Sequence, residues 1–488
     1  MTATTKTIGH LQNLIGGEFV DAANGKVIEV TDPATAGEVV GTVPALTAAE
    51  LPGVFEAARK GAAEWRRANG LTRGAVLLRA AALIRERADE LRDTIVAELG
   101  KTLADATGEV GKTAEFFEYY GGMGRDEFGG LLADGRPNTF AVRVQEPLGV
   151  VVLVTPWNDP LLTPARKLGP ALISGNAVVI KPASATPLIL LKLAEIFHEA
   201  GLPAGVLNTV TGRGRDLGDT LFDDDSIRAV SFTGSTEVGL GLQRKLAGRG
   251  IRVQTEMGGK NAAVVLADAD LDLAIPTIAA GAFGQAGQRC TATSRLVVQR
   301  EVADEVRRRL AEHVRGIHVA PGTDPEVGMG PVVDEGAQRD IRGHVERAVE
   351  AGATVVAQAE LTGRAAEAGA FVAPTLLDIS RDHDIWRTEV FGPVVGMLEV
   401  DTFDEALEAV NDSSYGLSAA IFTQNLANAM EFVARADAGQ VSVNQPTTGW
   451  DIHHPFGGFK DSGSGYKEQG EVALEFYTRT KAAAIRTH

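Results

Sequence analysis

With 488 residues, 44% of them hydrophobic, and a formal net charge of −17, the chain has apolar material for two or three domains and is too acidic to favour nucleic acid. Its single cysteine excludes an intrachain disulfide, and Met1–His10 lacks the apolar core of a signal peptide, which together predict a reducing cytoplasm. No apolar run approaches the ~18 residues of a membrane span. Even Ala262–Phe283 is interrupted by Asp268, Asp270 and Asp272, so no membrane partner is expected.

In chain order, Leu14–Val20 alternates like a short hairpin, followed by a turn at Asn24-Gly25. Three helical stripes come next: Leu51 to Ala62, a longer one from Val76 to Ile95, and Val110 to Tyr120. Asn138–Thr155 alternates and then turns continuously apolar, as a hairpin leading into a buried parallel strand would. Strands are expected at Ala177–Lys181, Val206–Thr211, Ala229–Thr233, Val253–Glu256 and Ala262–Leu266, separated by helices near Leu161–Gly175, Pro187–Ala200, Leu217–Phe222 and Thr236–Leu246. This order predicts an α/β fold with a doubly wound parallel sheet that binds ligands at the carboxyl ends of its strands. A second α/β set follows Cys290, with strands near Leu296–Val298, Thr354–Val356, Val394–Leu398, Ala419–Phe422 and Val441–Val443 and helices near Val302–Val314 and Ile341–Gly352. Cys290 is thus expected between two sheets, and the chain is expected to end in a helix end and a terminal strand, Lys481–Ile485.

Several short segments end strands with chemically capable side chains. Cys290 follows Gly287-Gln288-Arg289 and precedes a polar run, the setting of a presented nucleophile; an inert, packed thiol is the competing reading. Phe232-Thr-Gly234-Ser235 runs from strand to helix, where free N–H groups and a positive dipole end suit a pyrophosphate, or where Ser235 simply caps the helix. Glu256, ahead of Met257-Gly258-Gly259, has the placing of a general base or of an ordinary capping acid. Asn158, in Pro156-Trp157-Asn158-Asp159, offers an amide to a developing oxyanion, or serves a turn. Lys181 is a candidate for ribose or phosphate oxygens, or a solvated loop lysine, and the pair Glu389 and Phe391 are candidates for ribose hydroxyls and a flat cofactor ring, or part of a structural turn. His453-His454 lacks companions at metal-ligand spacing, so no metal site is expected.

The ordered set Asn158, Lys181, Phe232–Gly239, Glu256-Met-Gly-Gly, Gly287–Cys290, Glu389-Val-Phe-Gly-Pro393 and Pro455–Gly463 resembles the NAD(P)-dependent aldehyde dehydrogenase superfamily over nearly the whole chain. The resemblance implies a Rossmann-type cofactor domain (1–127 and 147–258), an α/β catalytic domain (259–458) and a small β oligomerisation extension (128–146 and 459–488) that pairs subunits into a homodimer or homotetramer. It implies that Cys290 attacks the aldehyde, that Asn158 holds the oxyanion, and that Glu256 activates the water that hydrolyses the thioester. Thr155, Pro156, Trp157, Lys181, Ser184, Phe232, Gly234, Ser235, Met257, Gly258, Glu389 and Phe391 are the implied cofactor contacts. NADP is expected to be accepted beside NAD, because Ser184 stands where NAD-preferring relatives carry an acid.

By the same resemblance Arg166 matches an arginine that pairs with the carboxylate of semialdehydes, and the chain looks most like α-ketoglutaric (2,5-dioxopentanoate) and succinate semialdehyde dehydrogenases. Asp159, which adds a negative charge near the expected substrate mouth, and Trp450, His453 and Phe456 complete the expected substrate residues. Aromatic, hydroxylated or amino-bearing aldehydes are the alternative substrates. An acylating enzyme using coenzyme A and a non-catalytic binding protein are the alternative functions, the first opposed by Glu256 and the second by the intact set Cys290, Glu256 and Asn158.

Overall fold

The structure is a computed structural model that describes residues 7–35, 37–126 and 129–487. The expected segment boundary at 127–128 lies outside the described residues, as do the first six positions and the last. Two parallel sheets organise the chain. The first joins β1 (Val150–Val154), β2 (Ala177–Lys181), β3 (Leu207–Thr209), β4 (Ile227–Thr233) and β5 (Arg252–Glu256) in the order β3-β2-β1-β4-β5, with every pairing parallel. β1 and β2 are apolar up to their last residues because helices cover both faces.

The second sheet joins β6 (Asn261–Val265), β7 (Thr293–Gln299), β8 (Thr354–Gln358), β9 (Thr375–Asp378), β10 (Val394–Val400), β11 (Ser418–Phe422) and β12 (Gln440–Val443) in the order β8-β9-β10-β7-β6-β11-β12. Only the edge pair β8 and β9 is antiparallel. The strand near Ala262–Leu266, grouped by sequence with the first set, therefore belongs to the second sheet: β6 pairs with β7 and β11. The crossing from β5 to β6 takes only Met257–Lys260, so Glu256 ends one sheet within a few residues of the start of the next.

The helical stripe expected from Val76 to Ile95 is broken in two, Gly70–Glu86 and Ala88–Leu99, at Arg87, whose φ of −99° and ψ of 22° leave the helical region. Two further helices position the site. α1 (Leu103–Gly122) starts on the Thr102 hydroxyl, which accepts the Asp105 N–H, and α2 (Leu162–Ile173) starts on Glu109 of α1, whose Oε1 accepts the N–H groups of Leu161 and Leu162. A buried carboxylate thus replaces a capping side chain and welds α2 to α1. Away from the sheets, Gly129–Leu132, Thr139–Pro147 and Thr478–Arg486 form a three-stranded antiparallel ribbon. Among the described residues no helix is long and apolar enough to cross a membrane.

Candidate active site

Four neighbouring strands deliver their carboxyl ends to one place. Asn158 follows β1, Lys181 closes β2, Thr233 closes β4 and Glu256 closes β5, while the Cys290 loop approaches from the second sheet. They meet on a cavity of about 760 Å³, lined by Asn158, Glu256 and Cys290 together.

The Cys290 loop is bent by three successive left-handed residues, Gln285, Ala286 and Gly287, with φ of 53°, 55° and 69°. Such backbone costs about 1–3 kcal/mol at each residue that has a side chain, so its surroundings must hold it. A Cβ on Gly287 would lie 2.2 Å from the Gly392 carbonyl oxygen, which restricts that position to glycine. Asn261 Nδ2 donates to the carbonyls of Cys290 and Ala292 at 2.7 and 2.9 Å, and Asn158 Nδ2 donates to the carbonyl of Gln288 at 3.0 Å. The second amide hydrogen of Asn158 remains for a ligand. Cys290 is partly exposed to the cavity. Burial pushes its thiol up from the usual range, and Arg166 is the positive charge that opposes the shift.

Glu256 is 2% exposed. Its Oε1 accepts from Gln254 Nε2 at 2.9 Å and its Oε2 from the Gly458 N–H at 3.2 Å. Burial, reinforced by the charge of Glu468, raises its carboxyl well above the usual range, while Lys167 and Lys467 pull it down. Behind it runs a buried polar chain. Lys167 Nζ lies 2.5 Å from Glu468 Oε1 and 2.6 Å from Ser231 Oγ, and Ser231 in turn donates to Gln254 Oε1 at 2.5 Å. Lys167, Ser231, Gln254 and Glu468 were not singled out by sequence, because a buried charge looks the same in a sequence as a solvated one.

A second arm of the cavity is lined by Thr155, Pro156, Trp157, Lys181, Phe232, Gly234, Ser235, Met257, Gly258, Glu389 and Phe391. Ser235 stands at the N-cap of α3 (Thr236–Leu246) and lines the cavity, yet its hydroxyl makes no cap bond, which leaves it available to an anion at the helix start. Trp157 and Phe391 meet edge to face, with ring centroids 5.3 Å apart. Glu389 accepts the Gly259 N–H at 2.9 Å, and burial raises its carboxyl to about 7. Burial likewise lowers Lys181 to about 8. Side chains would fill this arm at two glycines: a Cβ at Gly234 would lie 2.7 Å from the Phe232 ring, and one at Gly258 would lie 2.2 Å from Glu389 Oε2. An arm offering helix N–H groups, a hydroxyl, an amine, a carboxylate and flat aromatic walls fits a nicotinamide dinucleotide.

Two expected site residues stand apart. Ser184 does not line the cavity, although its neighbour Ala183 does; its hydroxyl donates to the Gly212 carbonyl at 3.3 Å. His453 is exposed, packed on His454 with ring centroids 4.4 Å apart and 3.7 Å from Asp451, so its imidazole faces solvent rather than substrate. Trp450, Phe456, Asp159 and Arg166 do line the cavity. The negative charge expected from Asp159 is met by Lys101 Nζ at 2.8 Å. Burial alone would raise the Asp159 carboxyl, but Lys101 and Arg289 hold it below the usual range. Among the described residues no group of three or more His, Cys, Asp or Glu is placed to hold a metal ion.

The aldehyde dehydrogenase family profile matches residues 19–483. An alpha-ketoglutarate semialdehyde dehydrogenase of Haloferax volcanii is 42% identical over 96% of this chain and 98% of its own length. A 2,5-dioxopentanoate dehydrogenase of Saccharolobus solfataricus is 44% identical over 86% and 87%. Among solved structures, a Staphylococcus aureus betaine aldehyde dehydrogenase in complex with NAD+ superposes with a TM-score of 0.94 at 31% identity, covering 98% of this chain and 94% of that one. A 3,6-anhydro-L-galactose dehydrogenase in complex with NADP gives 0.93 at 37% identity, covering 98% and 100%. The chain belongs to the aldehyde dehydrogenase family.

Proposed function

We propose that the aldehyde oxidised by this NAD(P)-dependent aldehyde dehydrogenase is a carboxylate-bearing semialdehyde such as 2,5-dioxopentanoate. The observation that carries the reading is the convergence of Cys290, Asn158 and Glu256 on one cavity that Lys112, Arg166 and Arg289 also line. The two semialdehyde-named relatives above support the same substrate class.

Cys290 gives up its thiol proton to a base, for which Glu256 offers a carboxylate on the same cavity, and the thiolate adds to the aldehyde carbon; the charge that develops on oxygen is met by the free amide hydrogen of Asn158, a kind of contact worth ~10²–10³ in kcat. A nicotinamide dinucleotide held in the second arm would supply the hydride acceptor. Glu256, at the end of β5, takes a proton from the water that cleaves the resulting thioester on Cys290, and burial, by raising its carboxyl, makes its ionised form a stronger base than an exposed glutamate. Lys181 and Ser235 would hold the adenosine ribose and pyrophosphate, and Glu389 and Phe391 would position the nicotinamide half. With Ser184 uncharged, nothing at that position repels a 2′-phosphate, so NADP is accepted beside NAD.

The first sheet and the preceding helices form the cofactor domain (1–127 and 147–258), the second sheet the catalytic domain (259–458), and the ribbon with 128–146 and 459–488 the oligomerisation extension. Supporting this last role, Leu131, Phe140 and Ile485 are 75%, 50% and 53% exposed on the ribbon, a surface that a homodimer or homotetramer would cover. The test is kcat/KM across C4–C6 semialdehydes, aromatic aldehydes and aminoaldehydes with each dinucleotide. A semialdehyde should lead; an aromatic or amino-bearing aldehyde in first place would refute the substrate class.

A further inference from the structure

The oxyanion donor and the nucleophile belong to segments of different sheets, so their relative position depends on what joins the Asn158 segment to the Cys290 loop. Two side-chain hydrogen bonds cross between them. Asn158 Nδ2 donates to the Gln288 carbonyl at 3.0 Å, and Gln285 Nε2 donates to Asp159 Oδ1 at 3.2 Å, so adjacent residues grip the loop at both ends of its turn. Gln285 is the first of the three left-handed residues that bend this loop, and such backbone persists only where its surroundings hold it. Asp159 is what holds the Gln285 side chain: among the described residues its other amide atom, the buried Oε1, has no hydrogen-bond partner.

Asp159 is anchored in turn. The same Oδ1 accepts from Lys101 Nζ at 2.8 Å, and Lys101 Nζ also meets Glu109 Oε2 at 2.6 Å, with the side chains of Lys101 and Glu109 buried. The other Glu109 oxygen accepts the N–H groups of Leu161 and Leu162, just beyond Asp159 in the chain. The Lys101 backbone has no room to shift: a Cβ on Gly322 would lie 2.0 Å from its carbonyl oxygen, and one on Gly330 would lie 2.4 Å from that of Gly100. A buried cluster of charges contributes little net stability, because desolvation offsets the attraction. What it supplies here is a fixed point from which one carboxylate oxygen reaches the nucleophile loop.

We propose that Asp159 is a positioning residue for the chemical step: anchored on Lys101, it holds Gln285 and so keeps the Cys290 loop in register with the Asn158 amide before an aldehyde arrives. A misplacement of about 1 Å can lower the rate about 10²-fold, so a single bond to a strained turn is enough to matter. The inference rests on the roles proposed above for Cys290 and Asn158. It takes Asp159 out of substrate recognition, since its carboxylate serves the enzyme's own loop, and acidic and neutral aldehydes then depend on it alike.

The experiment measures the single-turnover rate of dinucleotide reduction in the full-length enzyme with succinic semialdehyde and with butanal, alongside KM and denaturant unfolding. Gln285→Ala leaves the Lys101 ion pairs in place, so hydride transfer should slow about 10- to 100-fold with KM and stability nearly unchanged. Asp159→Ala should slow it as much for both aldehydes. The double variant should be no slower than either single one, because both changes remove the same link. Asp159→Asn loses the charge facing Lys101, as Asp159→Ala does, but keeps an oxygen for Gln285, so it should recover most of the rate at a similar loss of stability. Rates that follow stability instead, with Asp159→Asn as slow as Asp159→Ala and Gln285→Ala as fast as the wild type, overturn the inference. So do additive losses in the double variant, or an altered preference between the two aldehydes with the saturated rate intact. Each of these leaves Cys290 and Asn158 in their roles, whereas a burst that survives Cys290→Ala defeats the reading of the site and the inference with it. Should Asp159→Ala fail to fold, Gln285→Ala and Asp159→Asn decide the matter.

Discussion

The Lys167 ammonium lies 2.5 Å from the Glu468 carboxylate with both side chains almost wholly buried, and the same ammonium reaches Glu256 through Ser231 and Gln254. The proposed base is therefore tuned by an ion pair that never touches it. Lys167→Met should push the Glu256 carboxyl higher still. Because Glu256 must be deprotonated to accept a proton from water, the rising limb of the kcat profile should move to higher pH. Leaving Glu468 with Arg166 alone should also cost about 3–5 kcal/mol of stability, readable by denaturant unfolding. An unshifted limb would mean that Glu256 is insulated from the pair.

The general-base role can be separated from the nucleophile role. In Glu256→Gln the first cofactor equivalent should be reduced in a burst while steady turnover falls ~10²–10⁴-fold, since the hydrolytic step loses its base. Cys290→Ala should abolish even the burst while leaving dinucleotide binding intact by fluorescence titration. A full burst in Cys290→Ala would exclude the thiol from the chemistry.

Asn158→Ala removes the oxyanion donor and also releases the Gln288 carbonyl it holds at 3.0 Å. Stopped-flow hydride transfer should slow by ~10²–10³ with little change in dinucleotide affinity. If the affinity collapses as well, the asparagine is chiefly a brace for the Cys290 loop.

Most strands were legible from sequence because they rest on local patterns, apolar runs ending in a polar residue with glycine turns after them, whereas Asn158, Glu256 and Cys290, which line one cavity, stood out only through the ordered set of motifs along the whole chain. Elements whose signals lie in their caps were missed. Leu271–Phe283, Phe403–Asn411 and Leu426–Arg435 begin on Asp270, Thr402 and Asn425, each of which accepts helix N–H groups, and those cap residues could have announced the helices. Lys101, Glu109 and Lys167 were unreadable for another reason: each is charged and buried, and its partner lies 8, 58, 52 or 301 positions away in the chain. His453 was expected at the substrate mouth because the stretch Trp450–His454 borders it by resemblance, whereas only Trp450 of that stretch lines the cavity and both histidines are exposed.

Cofactor binding should depend on pH through Glu389. Burial raises its carboxyl to about 7, so it is largely protonated below that pH and ionised above it. Only the ionised form accepts two ribose hydroxyls fully, so the dissociation constant of the dinucleotide should fall as pH rises through about 7. Glu389→Gln should flatten the dependence and weaken binding about 10- to 100-fold at pH 8, the worth of a charged hydrogen bond. A pH-independent affinity in the wild type would place the ribose elsewhere.

The covalent intermediate is the centre of the account. Glu256→Gln, mixed with a semialdehyde and dinucleotide, quenched in acid and digested, should yield a peptide containing Cys290 heavier by the acyl group of the substrate, in a one-to-one ratio with reduced cofactor. Reduced cofactor formed without any acyl adduct, or with the adduct on another residue, would contradict it.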